Sequence, residues 1–226
     1  MAKTSKHAKS KASEKESSYT WSKRILYSAL MFLLGAGLGF LSKWLDTLSS
    51  EELPAFFETV DIRNMFGRTA IWALIAVSIA VFSRTSLRAA VNVLMFFAGV
   101  LLSYWIASIV LAGFMIDDSY MMVWIIFAAV SPIFGFLTWY ARREGIFALI
   151  IAAFIFAYFF LQAFSFDATL SYFDLNYGGT EAVMLAVCVA ILFVRKPLWQ
   201  TPAALGAAIV LAYAIRLTGV SIPYLL

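Results

Sequence analysis

The stretch RTSLRAAVNVLMFFAGVLLSYWIASIVLAGFMI, Arg84–Ile116, decides the fold. Two arginines open it, and no charged residue follows from Ala89 to Ile116. A helix needs roughly 17–25 apolar residues to cross about 30 Å of hydrocarbon, so this run suffices. The run is continuous rather than alternating, which fits a strand poorly, and in lipid only helices or closed barrels satisfy the backbone. Working outward, comparable runs lie at Ile25–Leu45, Arg68–Phe82, Met121–Tyr140, Ile146–Phe164, Ala182–Val194 and Pro202–Val220. The second and sixth in chain order are short and need flanking residues. The reading is an all-α fold: a polytopic integral membrane helical bundle of about seven transmembrane helices.

Composition agrees. Of 226 residues, 63% are hydrophobic and 13% charged, against about 45–50% and about 25% in soluble domains. That excludes a soluble globular protein. A single histidine, His7, and a single cysteine, Cys188, exclude most chemistry that needs a metal site, a histidine base or a disulfide framework.

Charge orients the bundle. With the N-terminus inside, the inner pieces are residues 1–24, SRTSLR, ARREG and RKPLWQT, and they hold 13 of the 17 Lys and Arg. Ten of the 13 acids fall on the other side. By the positive-inside bias, which counts Lys and Arg, the topology is N-in/C-out. Trp21, Trp139 and Trp199 at inner boundaries, and Trp44 and Trp124 at outer ones, fit interfacial anchoring. Residues 1–24 are expected to form a disordered basic cytoplasmic tail that no signal peptidase removes, and 25–226 a single transmembrane domain. The basic pI of about 9.2 is explained by anionic lipid at the inner face and calls for no nucleic acid.

One outer loop differs. In SSEELPAFFETVDIRNMF (Ser49–Phe66), Ser49 and Glu52 have capping-box spacing, and Leu53, Phe56, Phe57 and Val60 recur at three and four residues. This predicts a short outer amphipathic helix, either resting on the surface or forming a lid of Glu51, Phe56, Phe57 and Glu58 over a pocket.

Catalysis is hard to assemble. His7 lies in the tail, no lysine lies deep within a span, and no phosphate-binding glycine loop appears. The reading leans away from an enzyme, and no cofactor is expected. Polar groups within spans are costly and mark candidate sites. Arg216 lies about 21 Å along the last helix from Pro202; it either snorkels or pairs with Asp118, Asp174 or Glu181. Arg68 stands in the same relation to Asp61. Tyr104 with Ser108, and Tyr158 with Gln162, share helix faces at i and i+4. With Trp105 and Asp118 they suit an outward-opening pocket with an aromatic wall. Gly35 and Gly39, and Ala204, Ala208 and Ala212, favour close helix packing, and Ser131-Pro132 predicts a kink.

RTSLRAAVNVLMFFAGVLLSYW (Arg84–Trp105) together with SYMMVWIIFAAVSP (Ser119–Pro132) resembles a family of small uncharacterised bacterial polytopic membrane proteins, over about Ile25–Val194. The resemblance implies a bacterial cytoplasmic membrane and brings no activity or site residues. Size, a cytoplasmic N-terminus, a lid after helix one and an outward pocket also look like the substrate-capture subunits of energy-coupling-factor vitamin importers. Those subunits usually have six helices, and their first helix carries an alanine-x-x-x-alanine coupling motif that Ile25–Gly37 lacks. Two functions remain open. One is a membrane solute-binding or transport protein with Arg216, Gln162, Tyr158, Tyr104 and Asp118 around a small-molecule ligand, for which acidic outer loops favour a cationic or zwitterionic species. The other is a non-catalytic accessory, immunity or assembly protein that acts through a membrane protein partner. In both, the lipid bilayer is the first partner.

Overall fold

A computed structural model describes the backbone of residues 2–49, 54, 57, 61–113, 117–195 and 199–218, with side chains from Trp21 on, that of Ala112 excepted. The chain is an all-α polytopic bundle. Its helices are α1 (Ala2–Thr47), α2 (Ile62–Met65), α3 (Thr69–Phe82), α4 (Ser86–Ala107), α5 (Asp118–Tyr140), α6 (Ile146–Ala163), α7 (Thr180–Arg195) and α8 (Gln200–Leu217). A π-turn, Ser108–Ala112, extends α4 and ends at Gly113 with φ 69°. Among the described residues, six of these stretches are long and apolar enough to cross a membrane, and α3 is a shorter apolar helix. The backbone of α1 continues through the basic segment to Ala2, where composition alone predicts a disordered tail; the side chains of that segment lie outside the described residues.

Hydrogen bonds identify the two ends of the bundle. At one end Arg88 Nη2 donates to Arg24 O at 2.5 Å, Trp139 Nε1 to Ser83 O at 2.9 Å and Arg142 Nη1 to Val81 O at 2.8 Å. Gln200, with its amide turned so that nitrogen meets acceptor, donates to Arg143 O at 3.1 Å and accepts from Gly145 N at 3.0 Å. This is the basic end. At the other, Tyr104 reaches Asp46, Arg68 reaches Asp61, and Tyr213 Oη donates to Ala168 O. Acids gather there.

Helix α3 is the shared centre. Ala70, Leu74, Val77 and Val81 face a core with Phe156 and Phe159 of α6, Cys188 and Leu192 of α7, and Ala204 and Ala208 of α8. Trp72 and Ala80 turn to a second core with Phe96 and Phe97 of α4 and Ala128 of α5. With 14 residues, α3 is about 21 Å long, which is about 9 Å short of the hydrocarbon thickness. Its last turn is level with the basic end, because Trp139 and Asn92 both bond Ser83 there. The shortfall therefore lies at the Arg68 end of α3.

Small residues set the closest contact. Gly35 and Gly39 of α1 lie against the backbone of α4 at Phe96 and Val100, and Gly99 of α4 lies against Phe32 O of α1. A Cβ at any of the three would fall inside a carbonyl oxygen, so the glycine motif serves packing within the bundle. Helix α5 continues through Pro132. A proline there leaves the Ala128 carbonyl without its amide donor, and Ser131 Oγ supplies the bond instead at 2.8 Å.

One element is not read from periodicity. After α6 the chain forms a hairpin, β1 (Phe164–Phe166) against β2 (Phe173–Leu175), antiparallel with Phe164 opposite Leu175. Aromatic cross-strand pairs hold it, Phe164 and Phe173 having ring centroids 5.0 Å apart. Its turn is organised by Asp167, which accepts from the Thr169 and Ser171 hydroxyls and from the Ser171 amide. These donors, Thr169 first, hold the Asp167 carboxyl at about 2 rather than its ordinary 3.8. A depressed carboxylate stabilises the turn above the ordinary value, and that stability is lost as pH falls through the lower one. Titrating the Asp167 side-chain carbon by NMR in micelles is expected to give a midpoint near 2; a midpoint near 3.8 would show that the turn does not hold the charge.

Of the expected amphipathic lid, Glu51, Phe56 and Glu58 lie outside the described residues. Phe57 is helical, 37% exposed, and donates its amide to Pro54 O at 2.8 Å.

Candidate functional site

Two polar assemblies occupy the acidic end, and the segment Phe66–Gly67–Arg68 joins them. The first is a half-open cavity of about 170 Å³ between α1, α3, α4 and α5. Ser42 and Asp46 contribute from α1, and Phe66 and Gly67 from the linker into α3. Trp72, Tyr104, Tyr120 and Trp124 supply aromatic surface. Tyr104 Oη donates to Asp46 Oδ2 at 3.0 Å, which places a carboxylate and a phenol side by side across 58 residues of chain. The buried Lys43 ammonium lies 3.8 Å from Asp46 Oδ2 and 5.3 Å from the Tyr104 ring centre. Helical spacing explains this, since Lys43 and Asp46 are one turn apart on α1. Trp72 Nε1 donates to Phe66 O at 2.8 Å, fixing that wall. Trp124 Nε1 is buried and has no hydrogen-bond partner among the described residues. A buried indole N–H normally finds an acceptor.

The second assembly surrounds Arg68 at the start of α3. Its Nη1 donates to Asp61 Oδ2 at 2.9 Å and its Nη2 to Thr180 Oγ1 at 3.3 Å. Its Nε stands 2.6 Å from Oε1 of Glu181, a residue with no exposed surface. That approach is a close charge contact off the hydrogen-bond direction, so neither atom has an aligned partner. Thr180 Oγ1 donates to Glu181 Oε2 at 2.7 Å. The Tyr177 ring covers the guanidinium at 4.2 Å, placed there by a left-handed turn in which Tyr177, Gly178 and Gly179 all have positive φ. Glu181 also lies in the first turn of α7, where the helix dipole favours an anion. The network extends to α6: Tyr158 Oη donates to Thr69 Oγ1 at 2.7 Å and Gln162 Nε2 to the same oxygen at 3.4 Å.

The residues singled out in sequence separate between these places. Tyr104 lines the cavity, while Tyr158 and Gln162 belong to the Arg68 network. Ser108 is fully buried and its hydroxyl donates back to Tyr104 O at 2.8 Å, at the start of the π-turn. Trp105 is 41% exposed and is not one of the residues that line the cavity. Asp118 is exposed in the first turn of α5, beside Asp117, which caps that helix by accepting from Ser119 N. Arg216 makes no ion pair among the described residues; its guanidinium lies 5.5 Å from the Phe166 ring centre, and Glu181, one of its expected partners, is taken by Arg68. A single pocket that gathers all seven is therefore not what the helices build.

Sequence reasoning overlooked Asp46 and gave Trp124 to the interfacial belt. The available signal was Lys43 and Asp46 at helical spacing inside the end of an otherwise apolar span. Among the described residues no three His, Cys, Asp or Glu side chains converge as a metal site would need.

No family model, curated protein or solved structure matches the chain.

Proposed function

We propose that this multi-pass membrane protein binds or transports a small solute, with the cavity between Asp46 and Trp124 as the seat. The observation that carries the reading is a carboxylate and a phenol, hydrogen-bonded to each other, in the wall of one aromatic-lined space. Few polar groups placed in an apolar concavity are the ordinary make-up of a ligand site. The positive-inside bias supports N-in/C-out, and the cavity then opens outward in a bacterial cytoplasmic membrane. The Arg68 network is the brace: it ties the start of α3 to α7 immediately beside Phe66 and Gly67, and so sets the position of the cavity wall.

The test is mass spectrometry on protein extracted from its native membrane in mild detergent. A defined small molecule at one per chain, lost from an Asp46→Asn variant that still elutes as a folded species, is the expected result. A stoichiometric protein partner with no small molecule would overturn the reading in favour of an accessory subunit.

A further inference from the structure

We infer that the cavity's ligand is a small methylated ammonium compound. The inference rests on the cavity being the solute seat and names the solute's class. Two observations carry it.

The first is the wall. Phe66, Trp72, Tyr104, Tyr120 and Trp124 present aromatic surface around one carboxylate, Asp46. Aromatic faces attract cations, and several rings around a space of this kind suit quaternary ammonium groups, which shed water more easily than a primary ammonium. A neutral apolar ligand would leave Asp46 facing it without benefit.

The second is Lys43. Its ammonium already uses the same two groups, lying 3.8 Å from Asp46 and 5.3 Å from the Tyr104 ring centre. The chain's own cation thus occupies the edge of the site and shows what charge these groups accept. A ligand ammonium competes with Lys43 for Asp46, so Lys43 is an opponent of binding, not a contact for a ligand anion.

Size agrees: a cavity of about 150 Å³ holds benzene, and about 170 Å³ takes a molecule with roughly one or two more non-hydrogen atoms.

The experiment is calorimetric titration of the purified full-length protein in detergent with choline, with tetramethylammonium and with 3,3-dimethylbutanol, the neutral carbon isostere of choline. Choline and tetramethylammonium are both expected to bind, and the isostere at least about tenfold more weakly than choline. Asp46→Asn should lose about tenfold or more in choline affinity, while Lys43→Met should gain several-fold. Ser42→Phe, which fills the cavity from α1, should abolish binding of every probe. Each variant is first shown to elute as wild type does.

Equal binding of choline and its isostere, with both lost in Ser42→Phe, would overturn the ligand class and leave the cavity as the seat. Weaker choline binding in Lys43→Met would also overturn the class, because Lys43 would then be holding a ligand anion. Binding untouched by Ser42→Phe would overturn the cavity itself. Absence of binding by any probe at millimolar concentration would overturn the class, while a different molecule retained from the native membrane would keep the seat.

Discussion

Glu181→Ala is expected to cost the bundle about 3–5 kcal/mol, the penalty of leaving a buried charge without its partner. Arg68 is 9% exposed and Glu181 not at all, so once the carboxylate is removed this guanidinium is left, among the described residues, with Asp61, whose carboxylate is the more exposed of the two. The pair itself is not a large net source of stability, since desolvation offsets most of its attraction. Its effect is asymmetric: either partner alone is damaging, while both replaced by apolar groups is much less so. Arg68→Leu combined with Glu181→Leu should therefore recover most of what Glu181→Ala loses. Unfolding in graded sodium dodecyl sulfate, followed by circular dichroism, reads both. A Glu181→Ala protein that unfolds with wild type would contradict the role given to this network. The same variant is expected to weaken ligand retention, because Phe66 and Gly67 are held in place from Arg68.

Gly35→Leu is expected to be equally severe, at least about 3 kcal/mol or loss of the folded species. The new side chain meets a backbone carbonyl of α4 at Phe96, which cannot rotate away. Two residues on, Gly37 has nothing within 4 Å of an added Cβ, and Gly37→Leu is expected to change stability by no more than about 0.5 kcal/mol. Opposite outcomes from one substitution, two positions apart on one helix, isolate the α1–α4 contact from any general effect of adding leucine. Similar losses at both sites would contradict it.

The spans were legible because lipid leaves little choice: an uncharged run of sufficient length has to be a helix. The six long helices and α3 lie where the apolar runs are, and the boundary of the short sixth run moves outward to Asn176 by recruiting a 3₁₀ turn. Neighbour relations were not legible. Spacing at i and i+4 shows that Tyr104 and Ser108 share a face, or Tyr158 and Gln162, but not which helix that face meets. Tyr104 turned out to meet Asp46 of α1, and Tyr158 met Thr69 of α3. Arg68 could be paired with Asp61 from sequence proximity, and that contact exists. Glu181, 113 residues away from Arg68, could be recognised only as an acid on the correct side. Trp124 is a different failure. A rule that assigns tryptophan to the interface explains it too easily, and its unsatisfied indole becomes visible only once its surroundings are known. The hairpin after α6 was hidden because aromatic residues continue the apolar run past the point where the helix ends.

The most direct measurement of the central claim uses the chain's only cysteine as a blank. Cys188 is fully buried, so Cys188→Ala with Met121→Cys places one thiol in the wall of the cavity. Intact cells are exposed to membrane-impermeant thiosulfonates, one carrying trimethylammonium and one carrying sulfonate, and modification is followed by mass spectrometry. The account predicts modification from outside the cell, faster for the cationic reagent, and slowed by choline. A thiol that reacts only from the cytoplasmic side, or that reacts faster with the sulfonate, would contradict an outward-opening seat for an organic cation.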